Sequence, residues 1–274
     1  MEKFLRAIVL SDNLKYDGLD AEWGLSIYLE YGEKNILLDA GASGMFADNA
    51  AKLGISLADV DYAVLSHAHY DHANGMERFF SENTEAKFYL RSGAEENCYK
   101  KGRIFKKYIG LPKRITKDYA DRIEYVSGDY RLTDGVYLIP HKTPGLDKIG
   151  AKEKMYRKMQ GGWITDDFSH EQSLVIETEK GLVIFNSCSH GGAANIIKEV
   201  SQTFPQKKVY GIVGGFHLFN KTEKEIRNFA AEVKDTGIEY VCTGHCTGAR
   251  AYDILQEELR ESLHQLHVGK VMLF

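Results

Sequence analysis

The stretch Ser66-His67-Ala68-His69-Tyr70-Asp71-His72 constrains this chain more than any other. Three imidazoles and a carboxylate fall within six positions, directly after the apolar run Tyr62 to Leu65, which reads as a buried strand. Neutral imidazole and carboxylate are the ligands that suit zinc, iron or manganese. Alternation brings His67 and His69 to one ion, while Asp71 and His72 can reach a second beside it. The competing picture, a solvated histidine-rich loop, does not explain why the ligand types follow a strand at this spacing.

The other histidines repeat the placement. Tyr62 to Leu65 precedes His67, Leu182 to Asn186 precedes His190, Lys208 to Val213 precedes His217, and Tyr240 to Thr243 precedes His245, so four strands deliver a histidine to one rim. Gln172 to Glu177 and Leu182 to Asn186 flank Glu179-Lys180-Gly181 as an antiparallel hairpin, which puts His170 and Cys188-Ser189-His190 at the same open end. There are more candidates than ligand positions, and spacing alone leaves His170, Cys188 and His217 open. Gly214-Gly215 before His217 suggests close backbone approach to a bound group, so His217 is assigned to substrate binding or proton transfer, with ligation as the alternative. His141, His264 and His267 lack such placement and read as surface or packing residues.

His-x-His-x-Asp-His after a strand resembles the signature of the metallo-β-lactamase-fold superfamily, and Leu37-Leu38-Asp39-Ala40-Gly41 is similar to its upstream strand and turn. Glu22-Trp23-Gly24-Leu25-Ser26, Ser187-Cys188-Ser189-His190-Gly191-Gly192, Gly214-Gly215-Phe216-His217-Leu218 and Cys242-Thr243-Gly244-His245-Cys246-Thr247-Gly248 resemble one branch. That branch comprises proteins similar to 7,8-dihydropterin-6-methyl-4-(β-D-ribofuranosyl)aminobenzene-5'-phosphate synthase. The resemblance runs from about Ala7 to the C-terminus. It implies an α/β fold, a four-layer αββα sandwich with the metal site at one rim of two sheets. It also implies His67, His69, Asp71, His72, His190 and His245 as ligands of two divalent transition-metal ions, zinc before iron or manganese. Asp39 is expected to hold a ligand imidazole or the motif loop by hydrogen bonds.

A chain of 274 residues fits one α/β domain, and a formal net charge of -4 argues against a general nucleic-acid binder. Met1 to Arg6 has no signal-peptide apolar segment, and the apolar runs are strand-sized, so a cytoplasmic protein that neither spans nor binds a membrane is expected. Four scattered cysteines, Cys98, Cys188, Cys242 and Cys246, read as reduced thiols, with Cys242 and Cys246 as small buried residues.

The opening reads as a β-meander, Ala47 to Leu53 as a short helix, and Met76 to Phe80 as the helix after the motif. Periodicity weakens over about 92–168, the expected substrate-binding insertion, in which Gly161-Gly162-Trp163 and Asp166-Asp167 look like a mobile loop. In the second half Ala193 to Thr203 reads as helix, Thr222-Glu223-Lys224-Glu225 as a capping box, and about Ala249 to Gln265 as a helix before the last strand.

The insertion opens with Lys100, Lys101, Arg103, Lys106, Lys107, Lys113 and Arg114, with no acidic residue between the ends. Lys106, Lys107 and Arg114 are the expected clamp for a small anionic, phosphorylated substrate. The leading functional expectation is a metal-dependent hydrolase, with Asp71 orienting the nucleophile and His217 moving a proton. What the resemblance adds is a pterin and ribose-phosphate theme and a related transferase reaction. A diiron redox protein on the same fold and a non-catalytic binding module are the alternatives. The chain shows no flavodoxin-like phosphate loop for the first, and an intact motif disfavours the second.

Overall fold

The computed structural model describes residues 4–274, so part of the N-terminal stretch read above lies outside the described residues. The first half runs β1 (Leu5–Ser11), β2 (Ser26–Tyr31), β3 (Lys34–Leu38), α1 (Met45–Lys52), β4 (Tyr62–Val64), α2 (Tyr70–Ala73), α3 (Met76–Glu82) and β5 (Phe88–Arg91). The middle follows as β6 (Cys98–Lys101), β7 (Lys106–Tyr108), α4 (Ile115–Asp118), β8 (Ile123–Val126), β9 (Tyr130–Thr133), β10 (Val136–Pro140), α5 (Leu146–Glu153), β11 (Met155–Met159) and β12 (Gly162–Thr165). Then come β13 (Gln172–Thr178), β14 (Gly181–Phe185), α6 (Ala193–Thr203), β15 (Val209–Gly214), α7 (Glu223–Lys234), β16 (Tyr240–Thr243), α8 (Ala249–Leu259), β17 (Leu263–Gln265) and β18 (Val271–Leu273).

Two seven-stranded sheets form, ordered β18-β1-β2-β3-β4-β5-β8 and β17-β16-β15-β14-β13-β10-β9. Alternation along β1 explains their stacking: Ala7 and Val9 point between the sheets, where they join Leu138, Leu174 and Phe185, while Ile8 and Leu10 point outward to Phe46 of α1 and Phe79 of α3. The second sheet turns Val175, Ile184 and Ile212 outward onto α6, α7 and α8. The result is the expected αββα sandwich.

The halves share a plan that the sequence does not display. Each sheet is antiparallel on one side and parallel on the other, β3-β4-β5-β8 in the first and β14-β15-β16-β17 in the second. Parallel strands end together, and loops beyond those C-terminal ends are where side chains from separate strands converge.

The weakly periodic region resolves into more than an insertion. Strands β8 to β10 return to the two main sheets, while β6, β7, β11 and β12 build a separate four-stranded sheet in the order β12-β11-β6-β7. The segment expected as a mobile loop is in part strand β12, paired Lys158 to Trp163 and Arg157 to Ile164. The last helix is shorter than expected because Leu263–Gln265 pairs in parallel with β16 after Arg260 takes a left-handed φ of 51°. The capping box of α7 is present, with the Glu225 amide donating to Thr222 Oγ1 at 3.3 Å and the Thr222 amide to Glu225 Oε2 at 2.9 Å. Among the described residues no helix is long and apolar enough to cross a membrane.

Candidate metal centre

The motif loop leaves β4 and is pinned from below by Asp39, at the end of β3. Asp39 Oδ1 accepts the Ser66 amide at 2.7 Å, and its Oδ2 accepts the hydroxyls of Ser66 at 2.7 Å and Ser187 at 2.6 Å. Asp39 Oδ2 also lies 2.8 Å from His72 Nδ1, which turns His72 Nε2 toward the rim. His67 Nδ1 is 2.9 Å from Ser66 Oγ, and its Nε2 is left buried without a partner. The expected role of Asp39 is thus what its contacts describe.

Three ring nitrogens, from His67, His69 and His190, lie within 4.8 Å of one another. Beside them, Asp71 Oδ2 is 3.8 Å from His72 Nε2 and 3.6 Å from His245 Nε2. The Trp23 indole donates to the same Asp71 oxygen at 3.1 Å. His245 is fixed by its amide on Asp12 Oδ2 at 3.0 Å and by its Nδ1, 3.2 Å from Asn13 Oδ1. All six residues assigned as ligands therefore meet at one rim, in two adjoining groups.

Cys188 sits between these groups: its Sγ is 3.3 Å from His72 Nε2 and 3.5 Å from Cys246 Sγ. Cys246, expected as a small buried residue, is buried, and its Sγ lies beside Cys188 and His245 as a further candidate ligand. The glycines before His217 serve it too, since a Cβ on Gly215 would come within 2.5 Å of Cys246 Sγ and 2.8 Å of the Ser187 carbonyl. Protein, rather than a bound group, requires that glycine.

His170 is buried at the edge of the cluster, but both nitrogens have partners. Its Nδ1 accepts the Ala68 amide at 3.2 Å and its Nε2 lies 3.2 Å from Asp166 Oδ2. His217, at a left-handed φ of 51°, holds its Nε2 3.5 Å from Glu153 Oε2, and that carboxylate also takes Lys221 and Asn220. Burial lowers the His217 pKa, but Cys246 and Glu153 outweigh it and raise the imidazole to about 9.

The donor set can be tested against a cation. His67 Nε2, His69 Nε2, His245 Nε2 and both nitrogens of His190 are buried with no hydrogen-bond partner. Burial and the crowding of like imidazoles push His67 and His190 well below the ordinary histidine value, and burial takes His69 and His245 down to about 3. Neutral, buried, unpartnered lone pairs converging on common points are a cost that ligation removes. The residues fit divalent metal.

A cavity of about 320 Å³ opens onto the centre, lined by Trp23, Tyr70, Phe219 and the lysines Lys100, Lys101 and Lys107 of the small sheet. Of the expected clamp only Lys107 faces it. Lys106 turns away onto the Trp163 ring, 4.4 Å from its centroid, and exposed Arg114 pairs with Asp118 at 2.8 Å. Lys100 and Lys101 take the places expected for Lys106 and Arg114.

The model of the metallo-β-lactamase superfamily matches residues 23–154. A synthase of 7,8-dihydropterin-6-methyl-4-(β-D-ribofuranosyl)-aminobenzene-5'-phosphate from Methanocaldococcus jannaschii is 30% identical, across 93% of this chain and 90% of the relative. The chain belongs to the metallo-β-lactamase superfamily. A solved metal-dependent hydrolase of the superfamily, Tm1679, superposes with a TM-score of 0.81 at 28% identity, covering 98% of each chain. The fold protein YhfI of Bacillus subtilis gives a TM-score of 0.63 at 11% identity, over 99% of this chain and 100% of the other. Superfamily membership implies divalent metal binding, and the buried, unpartnered imidazoles fit it.

Proposed function

We propose that this superfamily member is a metal-dependent enzyme with a dinuclear centre, one ion on His67, His69 and His190 and the other on Asp71, His72 and His245. Cys188 lies between the two groups of side chains, and a thiolate there would favour zinc over manganese. Cations bound there polarise a carbonyl or phosphoryl oxygen and bring the acidity of water close to neutral pH. Asp71, steered by the Trp23 indole, orients the nucleophile. His217, charged and held against Glu153, donates a proton to the leaving group.

The substrate is small, anionic and phosphorylated. The observation that carries this is the cavity wall: Lys100, Lys101 and Lys107 line the same cavity as His69, Asp71 and His190. Three ammonium groups beside aromatic Trp23, Tyr70 and Phe219 suit a ring-bearing phosphate. Hydrolysis is the leading reaction. The Methanocaldococcus relative, a synthase of a pterin-linked ribofuranosyl aminobenzene phosphate, favours transfer on the same centre as the second reading. The partner is a small molecule rather than nucleic acid or membrane, and the cytoplasm is the compartment that keeps four unpaired thiols reduced.

Elemental analysis of protein never exposed to chelator tests the centre, with between one and two transition-metal ions per chain expected. Absence of metal would overturn the proposal. Equilibrium binding of ribose 5-phosphate against ribose tests the substrate class, and equal affinity for the two would remove the phosphate from it.

A further inference from the structure

His141, just after β10, has no place in the chemistry above and reads from the sequence as a surface or packing residue. Its side chain is only 2% exposed and lies between two carboxylates, with Nε2 3.1 Å from Glu171 Oε1 and Nδ1 3.4 Å from Glu199 Oε2. Neither carboxylate is there by accident. Glu199, on α6, also accepts the Lys142 amide at 2.9 Å and the Thr143 hydroxyl. Glu171, at the start of β13, uses the oxygen facing His141 to accept the amide of His190 at 3.2 Å.

The contacts make one buried line, from Glu199 through His141 and Glu171 to the backbone of a residue assigned as metal ligand. A second contact acts on the same loop. A Cβ on Gly191, the residue after His190, would meet the His141 ring at 3.2 Å, so the imidazole packs directly on that backbone. The neighbouring loop backbone is tied by the Ser189 amide on Asn186 Oδ1 at 2.7 Å and the Gly192 amide on the Ser189 carbonyl at 2.8 Å, while Phe168 stacks on the His190 ring at 4.5 Å. The His190 amide itself is held by Glu171, Ser189 takes a left-handed φ of 49°, and neither ring nitrogen of His190 has a hydrogen-bond partner.

We propose that His141 and Glu171 are positioning residues that set the His190 loop for metal ligation, with Glu199 as their anchor. The inference rests on the metal reading given above. A ligand on a strained loop loses affinity when its support is free to move, because the loop must then be ordered each time the ion binds. Glu171 fixes the backbone through the His190 amide, and the His141 ring packs against it at Gly191.

The test uses cobalt(II) as the probe, titrated into chelator-treated protein and followed by its visible absorption. The His190→Ala and Asp71→Asn variants identify which binding step belongs to which group of ligands. In His141→Ala and Glu171→Gln, affinity at the step that depends on His190 is expected to fall about 10- to 100-fold, as for removal of other groups that orient a ligand. The step that depends on Asp71 should stay within about twofold, a selectivity that a general loss of stability would not produce. His141→Gln, which keeps a donor for Glu171, should recover part of the loss. If His141→Ala does not fold, Glu199→Gln carries the same test from the far end of the line. Unchanged cobalt binding in the folded variants, or equal loss at both steps, overturns the inference. Wild-type protein that takes up no cobalt overturns the metal reading and this inference with it.

Discussion

The motif loop and the small sheet face each other across one cavity but are built in opposite ways. Residues 66 to 72 bring four proposed ligand side chains from a single turn after β4, so the local chain order is itself the candidate site. The small sheet joins two pieces, Cys98–Tyr108 and Met155–Thr165, through the pairing of Tyr99 with Tyr156. Between them, β8 to β10 run back into the main sheets. The first region tells what chemistry is available, and the second determines what reaches it. A motif of the first kind is readable from spacing, whereas which lysines of the second face inward depends on a register that spacing does not specify.

The largest effect should come from the motif loop. His69→Ala and Asp71→Asn each remove a ligand from a loop that contributes little core burial, so turnover should fall about 10²- to 10⁴-fold while the fold persists. Circular dichroism beside an activity assay checks both parts. Outright unfolding would show that the metal holds the structure together as well as serving catalysis. Below that, Asp39→Asn leaves the ligand set whole but weakens the acceptor shared by Ser66, Ser187 and His72. Chelator competition should register about 10- to 100-fold weaker metal binding.

How much was legible follows the same division. His67, His69, Asp71 and His72 are close in sequence, and His190 and His245 follow strand ends, so period and resemblance sufficed to propose them, and the fold brings them to one rim. Glu153 and Glu171 are not singled out in the sequence and Cys246 reads only as a small buried residue, because the contacts of each are made across the fold: with His217, with the His190 amide and with Cys188. His141 reads as a surface or packing residue; it is buried, and the carboxylates that enclose it could not be named from the sequence because they come 30 and 58 residues later. The sandwich was legible through the family resemblance, and alternation in β1, which sorts residues between two cores, agrees with it, but the two-sided plan of each sheet needed the pairings themselves.

The cavity wall sharpens the contrast at a smaller scale. Lys100→Ala and Lys107→Ala should each cost roughly 1.5 to 3 kcal/mol in binding of a phosphorylated ligand, about one to two powers of ten, and much less for its dephosphorylated analogue. Arg114→Ala should change neither, because its guanidinium lies on the surface against Asp118. An Arg114 effect as large as that of Lys107 would mean that the clamp extends beyond the small sheet, and would blur the division drawn here.

The smallest expected effect joins the two regions, because Glu153 ends α5, just before β11 of the small sheet, and holds His217 of the rim. Burial raises its pKa, but bonds from His217, Lys221 and Asn220 outweigh that and keep the carboxyl well below its ordinary value near 4.5. A carboxylate depressed in the folded state stabilises the protein above its unfolded pKa, and the contribution is lost as pH falls through the folded value. Glu153→Gln retains shape and hydrogen-bonding atoms but not charge, so it should cost about 1 to 1.5 kcal/mol near pH 7. The gap from wild type should narrow progressively below about pH 4.5, because there the unfolded carboxyl is protonated while folding still has to keep it ionised. Urea unfolding of both proteins across that interval measures it. A gap that stays constant down to pH 3 would show that Glu153 joins the small sheet to the rim by packing, without the ion pair taking part.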